Sequence, residues 1–235
     1  MKDISDRMKN YYEDRNRVYL TRRTPVIIRL DGRAFHTYTR GFSKPFDGIL
    51  IGAMKATTQA LVKEIQGAAV AYTQSDEISI LVTDWATLTT EAWFDYNIQK
   101  MCSVAASFAT CEFNRYMLRA GYHGLEAPWA QFDARCFNLP DAEIVNYFLW
   151  RAKDWHRNSV TMYAQAHFSH KQLHGRSVSD MHEMLHSIGK NWATDLTRSE
   201  KNGTFYSPRG EIAGTPSDYS GVHDIIMEAM SDKDG

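Results

Sequence analysis

Two acidic clusters, each set at the end of a strand-like run, constrain this chain more than any other feature. Residues 25–30 are apolar, β-branched or both except for Arg29, and they run directly into Asp31-Gly32-Arg33. Residues 67–72 form a second such run, which passes through Thr73-Gln74-Ser75 into Asp76-Glu77 before strand character resumes over 78–82. Carboxylates on rigid strand tips suit Mg²⁺, a hard cation that takes oxygen ligands, commonly one or two carboxylates with water and phosphate oxygens. Asp and Gly in the same places are also ordinary turn residues. Position alone leaves both readings open.

The order of elements narrows the fold. After a charged and aromatic helix expected over 5–20 come a strand at 25–31, a loop at 32–44 and a helix over about 46–66 that stops at Gly67. Two strands, 68–73 and 77–83, follow as a hairpin. A long helix is expected from Thr87 to Arg119, with small residues (Ser103, Ala105, Ala106, Ser107, Ala109) for close packing on a sheet. A fourth strand covers 130–138. Strand, helix, strand, strand, helix, strand is the βαββαβ, ferredoxin-like pattern, so the expected class is α+β. In that topology the first and third strands are central neighbours, which brings Asp31 and Asp76 to one sheet edge, as in the palm of a nucleotide polymerase or cyclase. Beyond Pro140, helices are expected over 141–166 and 177–190, a hairpin or loop over 203–214, and a polar tail from Thr215 with one helical run, 221–230. The expected organisation is a palm-type catalytic domain over 1–140, a helical and hairpin RNA-binding extension over 141–214, and the tail over 215–235.

At 235 residues with 43% hydrophobic and 23% charged side chains, the chain can bury an ordinary core. Its 3 cysteines include no CxxC pair, and the odd count argues for a reducing compartment over a disulfide framework. No apolar run approaches a membrane span, and no signal-peptide core follows Met1, so a cytoplasmic protein is expected. The formal net charge of −1 gives nucleic-acid binding no global support. A local basic face can still supply it, and Arg15, Arg17, Arg22, Arg23, Arg29, Arg33, Arg40 and Lys44 crowd the first part of the chain.

Several linked blocks resemble the tRNA(His) guanylyltransferase family: residues 29–36 (Arg-Leu-Asp-Gly-Arg-Ala-Phe-His), 42–47 (Phe-Ser-Lys-Pro-Phe-Asp), 72–79 (Tyr-Thr-Gln-Ser-Asp-Glu-Ile-Ser), 132–135 (Phe-Asp-Ala-Arg) and 150–154 (Trp-Arg-Ala-Lys-Asp). The resemblance covers roughly residues 5–210. It implies a palm enzyme that extends RNA 3′→5′, with tRNA, ATP and GTP or other nucleoside triphosphates as substrates, and usually a tetramer. The eukaryotic enzymes carry a His-Ile-Asn-Asn motif where this chain has His156-Arg157-Asn158-Ser159. The Arg-Asn-Ser form resembles the bacterial, archaeal and phage branch, which is associated with template-dependent repair of 5′-truncated tRNA. Strict addition of guanosine to histidine tRNA is the alternative.

The resemblance implies two Mg²⁺ ions held by Asp31, the Gly32 carbonyl and Asp76, with Glu77 beside them as a further catalytic carboxylate. The turn Arg33-Ala34-Phe35-His36 can offer successive backbone N–H groups to a triphosphate, and Lys44 adds a mobile cation. Ser75 either contacts phosphate or shapes the turn. Asp154, Arg157, Asn158 and Ser159 face RNA by resemblance. Arg135 alternates with Asp133, so both can face the site. His36 and Lys44 also read as plain surface residues, and the 154–159 segment as an exposed helix face.

A rival enzyme class comes from His182-Glu183-x-x-His186, which fits the zinc-protease motif H-E-x-x-H. The position for a third histidine is Trp192, and Glu200 or Glu211 would have to substitute. His167, His170 and His174 form a similar cluster, surface or RNA-facing. A non-catalytic RNA-binding module is disfavoured by the intact Asp31, Asp76 and Glu77, and a nucleotidyl cyclase leaves 140–210 without a purpose.

Overall fold

A computed structural model describes residues 3–122 and 128–231. Its centre is an antiparallel sheet in the order β4-β1-β3-β2-β5-β6. The strands are β1 (Val26–Gly32), β2 (Ala68–Gln74), β3 (Glu77–Val82), β4 (Phe132–Asn138), β5 (Thr204–Ser207) and β6 (Gly210–Ile212). The first four have the ferredoxin-like order expected from the sequence. The hairpin of β5 and β6 extends the same sheet: β5 pairs with β2 through Ala71↔Tyr206 and Thr73↔Thr204.

Alternation along β1 explains why the sheet is covered on both faces. Val26, Ile28 and Leu30 belong to one core cluster and Ile27 to the other. The first face is covered by α3 (Gly48–Glu64) and α4 (Ile98–Arg119). Met101, Ala105, Ala109, Phe113 and Met117 repeat every four residues along α4 and are all buried. Full burial of each large side chain in that stripe contributes about 1.5–3 kcal/mol. Ser103 and Ser107 face outward, so of the small residues only Ala105 and Ala109 make the close approach. Caps fix the helix starts: Asp47 accepts from the backbone N–H groups of Ile49 (2.9 Å) and Leu50 (3.1 Å), and Asn97 from that of Lys100 (3.0 Å).

The other face is covered by α5 (Ile144–Gln165) and α10 (Tyr219–Ser231). Val222, Ile225, Ile226 and Ala229 are buried there, so the helical run expected over 221–230 is present and docks on the sheet as an amphipathic helix. Its last four residues, 232–235, lie outside the described residues. Short helices α6 (His170–Leu173), α7 (Val178–Ser187), α8 (Trp192–Asp195) and α9 (Arg198–Asn202) pack against the second half of α5 around Tyr163, Leu185 and Trp192. All three cysteines are free.

Two helix expectations are corrected. The N-terminal helix is α1 (Ile4–Met8) continued by π and 3₁₀ turns to Asn16, and it does not reach residue 20. Beyond it the chain is extended: Leu20 donates its N–H to the Tyr96 carbonyl (3.0 Å) and Ile98 to that of Val18 (3.0 Å). Residues 87–97 are not α-helical either, and hold only a short 3₁₀-type turn, Trp93–Tyr96. Arg22 and Arg23 take the carbonyls of Thr87, Leu88 and Thr90, which a helix would need for itself. Phe94, Asp95 and Tyr96 then form a left-handed turn with φ of 51°, 51° and 57°.

Candidate active site at the sheet edge

Register brings the acidic residues together. Asp31 pairs with Glu77 across β1–β3 and with Asp133 across β1–β4. One step back on the same face, Arg29 lies between Ser79 and Arg135. Acidic and basic rows therefore stand side by side under α5. Asp76 sits in the two-residue turn between β2 and β3, and its carbonyl accepts from the Gly32 N–H at 3.0 Å. Ser75 holds a positive φ of 49° in that turn, and its hydroxyl hydrogen-bonds the Asp76 carboxylate. Burial, and secondly the nearby negative charge of Asp31, push the Asp76 carboxyl up to about 6. Two carboxylates this close, with the charge of Asp31 bearing on Asp76, form a pair suited to a cation.

Glu77 is placed differently from its two acidic neighbours. It is buried, and Arg151 on α5 grips it through Nε–Oε1 and Nη2–Oε2 bonds of 2.7 Å each. Arg29 donates to the same carboxylate at 2.6 Å. Arg29 also lies 3.8 Å from Asp31, and Arg151 lies 3.3 Å from Asp154. Glu77 thus acts as a shared counter-ion that fixes two arginines beside the site. Charges this deep are tolerated only when paired and hydrogen-bonded. Sequence reasoning passed over Arg29 and Arg151. The available signal was the Arg29-x-Asp31 spacing, which puts both side chains on one face of a strand.

The loop after β1 keeps backbone donors at the same edge. Thr37 and Tyr38 donate to the Ala34 carbonyl, so the N–H groups of Ala34, Phe35 and His36 lead the short helix α2 (Phe35–Tyr38) and are not used by it. Gly32 is required where it stands: a Cβ there would meet the Phe35 ring at 2.3 Å. Arg33 is exposed and tied to Gln131, His36 is exposed, and Lys44 stands on the rim of a neighbouring cavity floored by Phe46 and Met54. That cavity and the one holding Asp31 and Asp76 share Gln74, Ser75, Trp155 and Met162 as a common wall.

Helix α5 supplies the opposite wall through Arg151, Asp154, Asn158 and Thr161. Arg157 is exposed and bonded to Asp154. Ser159 is a correction. It is fully buried, and its Oγ donates to the His156 carbonyl (2.9 Å) and accepts from Trp192 Nε1 (3.1 Å). The helical period puts it in line with Ala152, Trp155 and Tyr163, on the core side of α5. Arg135 is half-exposed, 3.3 Å from Asp133 and 4.0 Å from Asp31, so it does face the site.

Among the described residues, the metalloprotease motif gains no third ligand. His182 packs edge-on against the buried ring of Trp192 at 5.8 Å. Among the described residues, no three His, Cys, Asp or Glu side chains converge on a metal position. His167, His170 and His174 are exposed on the α6 side.

The family model described as tRNA(His) guanylyltransferase matches residues 5–140, more than half of the chain. The chain belongs to the tRNA(His) guanylyltransferase family. A bacterial member-like protein, solved as a tRNA(His) guanylyltransferase-like protein in complex with ATP, is 43% identical, with a TM-score of 0.88 over 96% of this chain and 98% of that one. A second such structure, in complex with GTP, is also 43% identical, with a TM-score of 0.71 over 86% of this chain and 84% of that one. The probable tRNA(His) guanylyltransferase of Dictyostelium discoideum is 31% identical over 139 residues, covering 57% of this chain and 52% of that protein. The chain spans about half the length of several curated relatives it matches. Within the family match lie β1 to β4, with Asp31, Asp76, Glu77 and the 33–36 turn. The α5 wall lies beyond it. No helix among the described residues is long and apolar enough to cross a membrane.

Proposed function

We propose that this protein adds nucleotides to the 5′ end of tRNA in the 3′→5′ direction, choosing each nucleotide by pairing with the opposite strand. The observation that carries the reading is the convergence of Asp31 and Asp76 on one sheet edge, beside backbone donors and a two-part cavity. The ATP and GTP complexes of the bacterial relatives support nucleotides as substrates.

The mutual charge of Asp31 and Asp76 fits a divalent site, with the Gly32 carbonyl as a third oxygen. Two Mg²⁺ ions held there would supply the Lewis acidity for a 3′-hydroxyl to attack an α-phosphorus as pyrophosphate leaves. The 3′-hydroxyl belongs to the incoming nucleotide, and the activated phosphate to the RNA 5′ end, which ATP first activates. In this reading, the N–H groups of the 33–36 turn and the Lys44 ammonium hold the triphosphate, and Ser75 orients Asp76. Glu77 keeps Arg29 against Asp31. Arg135, Asp154, Arg157 and Asn158 present the RNA-facing side, which recognises shape and phosphate more than sequence.

The Arg157-Asn158-Ser159 segment supports templated repair over strict guanosine addition. The test incubates the protein with 5′-truncated tRNAs bearing each templating base, ATP, all four triphosphates and Mg²⁺, and sequences the 5′ ends. Addition of the complementary base across several tRNAs is expected. Guanosine alone, on histidine tRNA alone, restores the strict reading, and no addition to any RNA removes both. A cytoplasmic homotetramer is part of the same proposal, since assembly can build the basic groove that a net charge of −1 does not. Light scattering of the purified protein tests it.

A further inference from the structure

Trp150 is half-exposed although it stands directly over the buried ion network. Arg151 lies 4.4 Å from its ring centroid and Arg29 5.9 Å. Tyr147 meets the ring edge-on at 5.9 Å and is itself pinned through its hydroxyl to Ser79 at 2.8 Å. The indole is therefore held by three neighbours while the residue stays 53% exposed. A fixed aromatic loses little conformational freedom on binding. Guanidinium groups against it favour stacking with planar, polarisable partners.

Its place in the site gives the partner. Arg29 touches both the Trp150 ring and, at 3.8 Å, the Asp31 carboxylate, so the ring is one guanidinium away from the reacting edge. Trp150, Asp154, Arg157 and Asn158 follow at helical spacing along one stripe of α5. Charged groups surround this spot, where Arg29, Arg135 and Asp133 lie side by side. A half-exposed ring with cations around it matches a nucleobase and its phosphate.

We propose that Trp150 is a stacking platform for the 5′-terminal base of the RNA, setting that base against Asp31 and Asp76. The inference rests on the nucleotide-addition reading above and names where its RNA substrate ends. Trp150 positions the substrate and takes no part in the bond changes.

The experiment measures dissociation constants without catalysis, so it is read separately from the addition assay. Wild type, Trp150→Ala and Trp150→Phe are titrated with a truncated tRNA, with the same RNA carrying an abasic 5′-terminal nucleotide, and with ATP. Stacking on an aromatic is worth enough that Trp150→Ala should weaken binding of the intact RNA about tenfold. Trp150→Phe should keep most of the affinity, and ATP binding should not change. The abasic RNA should bind wild type about tenfold more weakly and Trp150→Ala no more weakly than intact RNA does. If Trp150→Ala still distinguishes abasic from intact RNA as wild type does, the proposal is overturned. Equal loss of RNA and ATP binding also overturns it, since that marks collapse of the Arg151–Glu77 network. A wild type that binds RNA with this discrimination yet adds no nucleotide removes the addition reading and leaves the platform standing.

Discussion

Arg151 and Glu77 exchange two 2.7 Å bonds across the junction between α5 and β3, with both side chains about 6% exposed. This is the buried tie between the sheet that carries the acidic pair and the helix that walls the groove. Removing one partner of such a pair is costly because the other charge stays buried. We expect Arg151→Ala to cost about 3 kcal/mol in urea unfolding, with Arg29 keeping the loss at the lower end of the range for such pairs. Glu77→Gln should cost less than Glu77→Ala, since it keeps shape and some hydrogen bonds. An Arg151→Ala protein as stable as wild type would show that the tie is not formed in solution.

Asp31→Ala and Asp76→Ala should each abolish nucleotide addition while leaving circular dichroism and the unfolding midpoint near wild type or above it. Both side chains sit at the rim and contribute no core packing. A folded Asp76→Ala protein that keeps near wild-type addition would remove the metal assignment.

Asp76 also sets a pH dependence. Its folded carboxyl titrates at about 6, above the ordinary 3.8, so the folded state binds the proton more tightly than the unfolded chain. Its contribution to stability is therefore complete below about pH 4 and is lost as pH rises through 6, amounting to ~3 kcal/mol at most. Neutral Asp76→Asn should be more stable than metal-free wild type at pH 7.5 and indistinguishable from it at pH 4. Mg²⁺ should raise the wild-type unfolding midpoint at pH 7.5, and the rise should fade below pH 6 as the proton competes. A Mg²⁺ effect that is equal at pH 5 and pH 7.5 contradicts the assignment.

Ser159 and Asn158 are neighbours in sequence with opposite fates. Ser159→Ala leaves the Trp192 indole N–H buried without its acceptor, so it should cost about 1–3 kcal/mol and leave RNA affinity alone. Asn158→Ala should do the reverse, weakening addition with a stability change inside about 0.5 kcal/mol. Denaturation and RNA titration of the two variants decide the matter.

Elemental analysis should find no stoichiometric zinc, and His182→Ala should leave addition unchanged. Stoichiometric zinc lost on that substitution, together with protease activity, would establish the metalloprotease reading instead.

The parts of the fold that followed local rules were legible from the residues. The β-branched run at 25–31, the helix that stops at Gly67 and the short link between the strands at 68–73 and 77–83 are short-range features, and they bring Asp31 and Asp76 to one sheet edge. What escaped depends on distant partners. Residues 87–97 have helix-compatible spacing, but Arg22 and Arg23, more than sixty positions away, claim their carbonyls. The partners of Glu77 escaped too, because Arg151 comes from α5, far along the chain. The 154–159 block was treated as one face, yet a helix turns Ser159 inward one residue after Asn158 faces the groove. The final helix was legible as the helical run 221–230, but its docking was not, because its four buried residues are dispersed among polar ones and only the sheet below shows which stripe is covered.

Because β5 pairs with β2, the sheet that holds the candidate site is incomplete until the last quarter of the chain arrives. A ribosome releasing this protein from its N-terminus presents β4-β1-β3-β2 with the β2 edge bare, and Tyr72 and Val70 uncovered by Phe205 and α10. Such an edge is a template for pairing with another chain. A fragment ending near residue 140 keeps the acidic cluster and the family signature but should aggregate when expressed, so recombinant work needs the chain through α10.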